Sequence, residues 1–212
     1  MIVAIDGPAG AGKSTVARKL AERLGFRYLD TGAMYRALTW LALREGLPLG
    51  DPAPLGELAR GNQVTFDEQG RVWIAGTDVT ASIRQSRIDR NVPAVARQPA
   101  VRQVMRERQR ELGEEGNVVI EGRDIGTVVA PGAEVKIYLQ ADPRVRAARR
   151  QAERPDIGAD ALATDLRSRD EKDRERMQPA DDATLIDTTD LEVEDVVTRI
   201  EELIRARSLA TP

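Results

Sequence analysis

The sequence contains neither cysteine nor histidine. Without cysteine there can be no disulfide, no thiolate zinc centre and no cysteine nucleophile. Without histidine, imidazole acid–base catalysis and the commonest metal ligand are excluded as well. Aromatic residues make up only 3% of the chain, too few for a surface that stacks unpaired bases. The net charge of -3 lacks the basic excess with which duplex binders neutralise phosphates. No apolar run approaches the roughly 20 residues that span a bilayer, and the strand-like Met1-Ile2-Val3-Ala4-Ile5 opens the chain with no basic stretch or cleavage site. These absences lead us to expect a cytoplasmic protein without nucleic-acid or membrane partners. No interface pattern is evident either, so a monomer is expected.

What is present fits one soluble catalytic unit. A chain of 212 residues supports one domain, or a core with a small insert. Arginine far outnumbers lysine. Its planar, permanently charged fork suits bidentate grips on phosphate or carboxylate, although genomic base composition explains the same bias.

Ile2 to Asp6 is a short continuous apolar run ended by Gly7-Pro8, the signature of a buried parallel strand. A helix is expected from about Lys13, with Val16, Leu20 and Leu24 on one face, Ala17 and Ala21 beside them, and Gly25 as its stop. The unit repeats: a strand over Phe26 to Leu29, then a helix from about Thr31 to Glu45 carrying Met34, Leu38 and Leu41. Leu47 to Gly56 reads as a Pro- and Gly-rich connection, and Asp67-Glu68-Gln69-Gly70 as a hairpin turn within Gln63 to Ala75. Helical periodicity resumes from Pro99 to near Gly113. Strands follow at Asn117 to Ile120, Val135 to Leu139 and Thr184 to Ile186, with Arg-rich helices from about Pro143 to Met177, a break at Pro155 to Gly158, and a last amphipathic helix through Val193, Val197 and Leu203. This alternation predicts an α/β fold, a parallel five-stranded sheet flanked by helices.

Gly7-Pro8-Ala9-Gly10-Ala11-Gly12-Lys13-Ser14 matches G-x-x-x-x-G-K-[S/T] between a predicted strand and a predicted helix, the context a phosphate-binding P-loop requires. The glycines let backbone N–H groups turn inward around phosphate oxygens and the helix dipole adds positive charge. Lys13 is placed to reach the β and γ phosphates and Ser14 to ligate magnesium. ATP with Mg2+ is the implied co-substrate pair. The loop leaves open whether the γ phosphate goes to water or to an acceptor.

Three further segments bear on that question. Asp30 to Arg36 follows the second strand, where open α/β sheets place ligands, although Thr31 as a helix cap would serve structure alone. Glu121-Gly122-Arg123-Asp124 follows another strand, either a surface turn or a charged pair aimed into the cleft. Arg169, Asp173 and Arg176 fall at i, i+4 and i+7 on one helical face, which a solvated ion-pair stripe would also satisfy.

Taken together, these blocks resemble the bacterial cytidylate kinases within the nucleoside monophosphate kinases, over essentially the whole chain. The resemblance rests on Gly7 to Thr15, Asp30 to Arg36, Ile83-Arg84, the helix from Val101-Arg102 to Gln109-Arg110, Gly122 to Val129, and Arg169 to Arg174. It implies a P-loop NTPase-type core over 1–59 and 101–212, a nucleotide monophosphate-binding α+β insert over 60–100, and a lid at about 149–158 that brings Arg149, Arg150 or Arg154 over the triphosphate. It also implies that Thr31, Arg123, Asp124, Arg169 and Asp173 hold the cytosine and nearby parts of the acceptor, while Arg36, Arg84, Arg110 and Arg176 supply charge around its phosphate or sugar. Lys13, Arg123 and Arg176 become the candidate catalytic residues, and CMP and dCMP the expected substrates. The family more often carries Ser at the position of Thr31 and Asp at that of Glu121; Glu121 is not counted among the expected site residues. Another small acceptor such as shikimate, or an RNA-responsive switch using the Arg-rich helices, remains open at this point.

Overall fold

The computed structural model describes residues 1–154, 157–174 and 176–210. In chain order they form β1 (Ile2–Asp6), α1 (Lys13–Leu24), β2 (Arg27–Asp30), α2 (Thr31–Arg44), α3 (Pro52–Gly61), β3 (Thr65–Phe66), β4 (Val72–Ile74), β5 (Thr77–Asp78), α4 (Ser86–Ala96), α5 (Pro99–Glu114), β6 (Val118–Glu121), β7 (Val135–Gln140), α6 (Pro143–Glu153), α7 (Ala159–Asp173), β8 (Thr184–Asp187) and α8 (Val193–Ala210). The chain divides into two compact units, Met1–Leu29 with Gly113–Pro212, and Asp30–Leu112.

The first unit is built on the expected five-stranded sheet, in the order β2-β6-β1-β7-β8. β1 is central because nothing in it needs water until its last residue: Val3, Ala4 and Ile5 are fully buried. It pairs in parallel with β6, Ile5 opposite Glu121, and with β7, Asp6 opposite Tyr138. The chain leaves β1 toward one edge of the sheet, and the later strands β7 and β8 lie on its other side. Such a reversal opens a crevice at the carboxyl ends of the strands, and the P-loop begins there. α1 buries Val16, Ala17, Leu20 and Ala21 and ends at Gly25, whose φ of +65° is the left-handed value its cap demands. On the same core α8 lays Val196, Val197, Ile200 and Ile204.

In the second unit α2 buries Met34, Ala37, Leu38 and Leu41. A small antiparallel sheet, β3-β4-β5, turns between β3 and β4 where Gly70 N–H donates to the Asp67 carbonyl at 2.8 Å. Residues 60–100 lie within this unit.

Two readings of the sequence need correction. The Pro-rich stretch before Gly61 is not only a connection: Asp51 caps α3 by accepting from Ala53 N–H at 3.1 Å, and Pro52 occupies the first turn, where its missing N–H costs nothing. α2 is capped by Asp30, not Thr31, because the Asp30 carboxylate accepts from Ala33 N–H at 2.7 Å.

Leu20 is fully buried between α1 and the sheet. Leu20→Ala should therefore cost about 2–5 kcal/mol, read as a lower urea midpoint at an unchanged m-value. An unchanged midpoint would remove Leu20 from the core.

Candidate active site

The P-loop is a backbone turn that only glycine can make at several points. Gly7 has φ +142°, and a Cβ built there would fall 2.1 Å from the Leu139 carbonyl oxygen of β7. Gly10 (φ +78°) lies so close to α6 that its Cβ would come within 2.9 Å of the Arg146 Cβ. The chain thus crosses the end of β7 in a glycine-rich turn of the kind whose N–H groups cradle anions, and α1 begins directly at Lys13 behind Gly12.

Lys13 is buried, with its ammonium folded back to donate to the Pro8 carbonyl at 2.8 Å. Burial pushes that ammonium down to about 7; Arg123 and Arg169 press in the same direction, while Glu121 and Asp6 oppose them. Ser14 Oγ donates to Glu121 Oε2 at 2.9 Å, and Tyr28 Oη donates to Glu121 Oε1 at 2.5 Å. The P-loop serine is therefore read by β6 and β2 at once. Asp6, the last residue of β1, accepts from Ile125 N–H at 2.9 Å and Gly126 N–H at 2.8 Å. Burial raises its carboxyl to about 6, more than those two N–H groups lower it. Asp6 thereby fixes the single π-helical turn Ile125–Val129 that follows Gly122-Arg123-Asp124.

Arg123, Asp173 and Arg176 meet, although the helical face expected to carry Arg169, Asp173 and Arg176 is cut short: α7 ends at Asp173 and Arg176 lies in the turn beyond it. Arg123 Nε lies 3.5 Å from Asp173 Oδ2, and Arg176 pairs with the same carboxylate. Asp124 is buried beside them in sequence, and Arg169, half-buried on α7, is near enough to depress Lys13.

The second unit presents its own cluster. Asp30 accepts from Arg36 at 2.9 Å and from Arg84 at 3.2 Å. Burial alone would raise the Asp30 carboxyl, but the two guanidinium groups and the Ala33 N–H outweigh it and hold it below the ordinary carboxylate range. Thr31 is buried in the first turn of α2, and Arg110 is exposed on α5. Of the Arg residues expected in a lid, Arg149 donates to the Thr188 hydroxyl at 3.0 Å and to the Thr188 carbonyl at 2.6 Å, and Arg150 reaches Glu153 at 2.7 Å. Pro155 and Asp156, also in that segment, lie outside the described residues.

Sequence reasoning missed Asp6 and Tyr28 and set Glu121 aside. Asp6 had one local signal, a carboxylate closing an apolar strand. Tyr28 had none, because its partner is 93 residues away.

A buried lysine titrating near neutrality should take up a proton when a phosphate anion arrives, because the anion favours the charged form. At pH 8 a non-hydrolysable ATP analogue should bind with uptake approaching ~1 proton, and affinity should fall as pH rises above about 7. Calorimetry in buffers of different ionisation enthalpy measures this uptake; it should vanish in Lys13→Met, and its absence in the wild type would contradict the burial of the ammonium.

The chain matches the family model described as cytidylate kinase over residues 3–206. It is 47% identical to a cytidylate kinase of Exiguobacterium sibiricum over 212 residues, covering 95% of each chain. It is likewise 47% identical over 224 residues to a bifunctional pantoate ligase/cytidylate kinase of a Synechococcus strain, covering 98% of this chain but only 42% of that longer protein. Among solved structures, a shikimate kinase from Bacteroides thetaiotaomicron superposes with a TM-score of 0.51 at 19% identity, covering 97% of this chain and 98% of its own, a likeness of fold alone. With the P-loop, the Gly122-Arg123-Asp124 segment, Arg169, Asp173 and Arg176 all inside the matched span, the chain belongs to the cytidylate kinase family.

Proposed function

We propose that this chain transfers the γ-phosphoryl group of ATP to CMP and dCMP, releasing ADP with CDP or dCDP. The observation that carries the reading is the Arg123–Asp173–Arg176 cluster, held in the same unit as the P-loop and its buried Lys13. Two nucleotide phosphates repel each other, and bringing them in line requires fixed positive charge more than proton transfer. The attacking phosphate oxygen is already ionised near neutral pH, so a chain without histidine lacks nothing for this reaction.

In this reading the P-loop N–H groups and Lys13 hold the β and γ phosphates of ATP, and Arg123 and Arg176 neutralise charge as it shifts between donor and acceptor. Ser14 and Glu121 place hydroxyl and carboxylate oxygens side by side, the donor type that magnesium takes, so these residues fit that ion. When bound, Mg2+ supplies charge neutralisation between the phosphates. Thr31, Asp124, Arg169 and Asp173 are assigned to the cytosine and its surroundings, and Arg36, Arg84 and Arg110 to the acceptor phosphate or sugar. A carboxylate accepting from the exocyclic amine, with a guanidinium donating to the ring carbonyl, selects cytosine over uracil, because the wrong base leaves buried polar groups unpaired.

Residues 60–100 are assigned as the nucleotide monophosphate-binding insert. Among the described residues no helix is long and apolar enough to cross a membrane; a cytoplasmic monomer completes the proposal.

ADP release from ATP and magnesium, measured with CMP, dCMP, UMP, AMP, GMP, dTMP, shikimate or no acceptor, tests the proposal. CMP and dCMP should dominate turnover, and acceptor-independent release would defeat the assignment. Asp173→Ala should lower kcat/KM for CMP on the order of a hundredfold while leaving the KM for ATP within about threefold. Equal losses for both nucleotides would remove Asp173 from the acceptor site.

A further inference from the structure

Arg146 belongs to none of the motifs that point to nucleotide chemistry, yet it is buried with each guanidinium nitrogen hydrogen-bonded. Nη1 donates to the Ala9 carbonyl of the P-loop at 3.1 Å, Nη2 to Asp170 Oδ2 of α7 at 2.7 Å, and Nε to the Ala141 carbonyl at 3.2 Å. Its Cβ and carbonyl sit directly beneath Gly10, where an added Cβ would come within 2.9 Å of each. The loop thus rests on this residue as well as bonding to it.

α7 needs such a tie. Among its described residues only Leu162 and Leu166 are buried, so apolar packing ends before the turn that carries Arg169 and Asp173. From there the helix is held by polar links, Asp170 to Arg146 and Asp173 to Arg123, and just beyond its end by Tyr138 Oη donating to the Met177 carbonyl at 3.0 Å. The guanidinium is planar and rigid, so a shift at Ala9 is transmitted to Asp170 rather than absorbed by a flexible ammonium stem.

We infer that Arg146 is a positioning residue that couples the donor-phosphate loop to α7, so that occupation of the P-loop orders the helix end bearing Arg169 and Asp173, and with it Arg176 just beyond. Calling that end the acceptor side rests on the proposed CMP kinase activity; the coupling itself does not. Arg146 and Asp170 also line a cavity of about 700 Å³ with Pro8, Tyr138 and Arg174, so altering them leaves no void in a close-packed core.

The test compares wild type with Arg146→Lys, Asp170→Asn and the double variant. In the wild type, binding a non-hydrolysable ATP analogue should slow amide exchange across residues 168–173 by about tenfold, and each variant should abolish that slowing while remaining folded. Asp170→Asn should raise the KM for CMP by about tenfold and leave analogue affinity within about twofold, whereas Arg146→Lys should impair both; the double variant should be no worse than Arg146→Lys. Equal slowing of exchange in all four proteins overturns the coupling. So does a lower Tm with both KM values unchanged, which marks a purely structural pair. A wild type that does not phosphorylate CMP defeats the acceptor reading alone, because the exchange experiment needs no acceptor.

Discussion

A lysine ammonium buried at the end of the central strand constrains most of the first unit. Removed from water, Lys13 loses much of its preference for the charged form, and the neighbouring Arg123 and Arg169 worsen its position. Glu121 and Asp6 offset only part of this. Three groups bear on that imbalance in the lysine's favour: the Pro8 carbonyl accepts a hydrogen bond from the ammonium, and the Asp6 and Glu121 carboxylates favour its charge, Asp6 held by the Ile125 N–H and Glu121 by Ser14 and Tyr28. The remaining deficit of negative charge suits a polyphosphate, and phosphate-bearing chemistry follows from the electrostatics before any residue is assigned to a substrate.

This arrangement depends on strand order. With β1 between β6 and β7, the end of β1 is flanked by the Glu121 end of one neighbour and the Leu139 end of the other. Gly7 can pass over the Leu139 carbonyl only because it lacks a side chain, and that close approach brings the loop onto α6 and Arg146. Glycine, lysine and arginine are thus chosen here for reasons that begin in the packing of the sheet and end in the placing of charge.

The βα alternation and the P-loop were legible because their signals are local: apolar runs, helical spacing and an eight-residue pattern. α4 was not read, since Pro93 lies inside it and its charged residues mask the buried Ile88, Val92 and Val95. α3 is masked because Pro52, which starts it, falls within a Pro- and Gly-rich stretch that reads as a connection. On α7, spacing put Arg169 and Asp173 one turn apart on one face, but the helix ends at Asp173 and Arg176 reaches the same carboxylate from the turn beyond it; the added partner Arg123 came from the resemblance. Arg146 to Ala9 and Asp6 to Gly126 span 137 and 120 residues, and no periodicity in one chain reveals which distant residues will meet. Tyr28 was hidden for the same reason, reading as one more apolar residue of a strand.

The Tyr28–Glu121–Ser14 chain has a consequence for anyone who would build with this fold. The octapeptide from Gly7 to Ser14 is portable as a backbone cradle, but the carboxylate facing its serine arrives on β6 and the phenol steadying that carboxylate arrives on β2. Transplanting the loop onto another strand–helix scaffold would carry over phosphate recognition without the oxygen partner of its hydroxyl. The smallest transferable module is therefore three adjacent parallel strands and one helix rather than a motif.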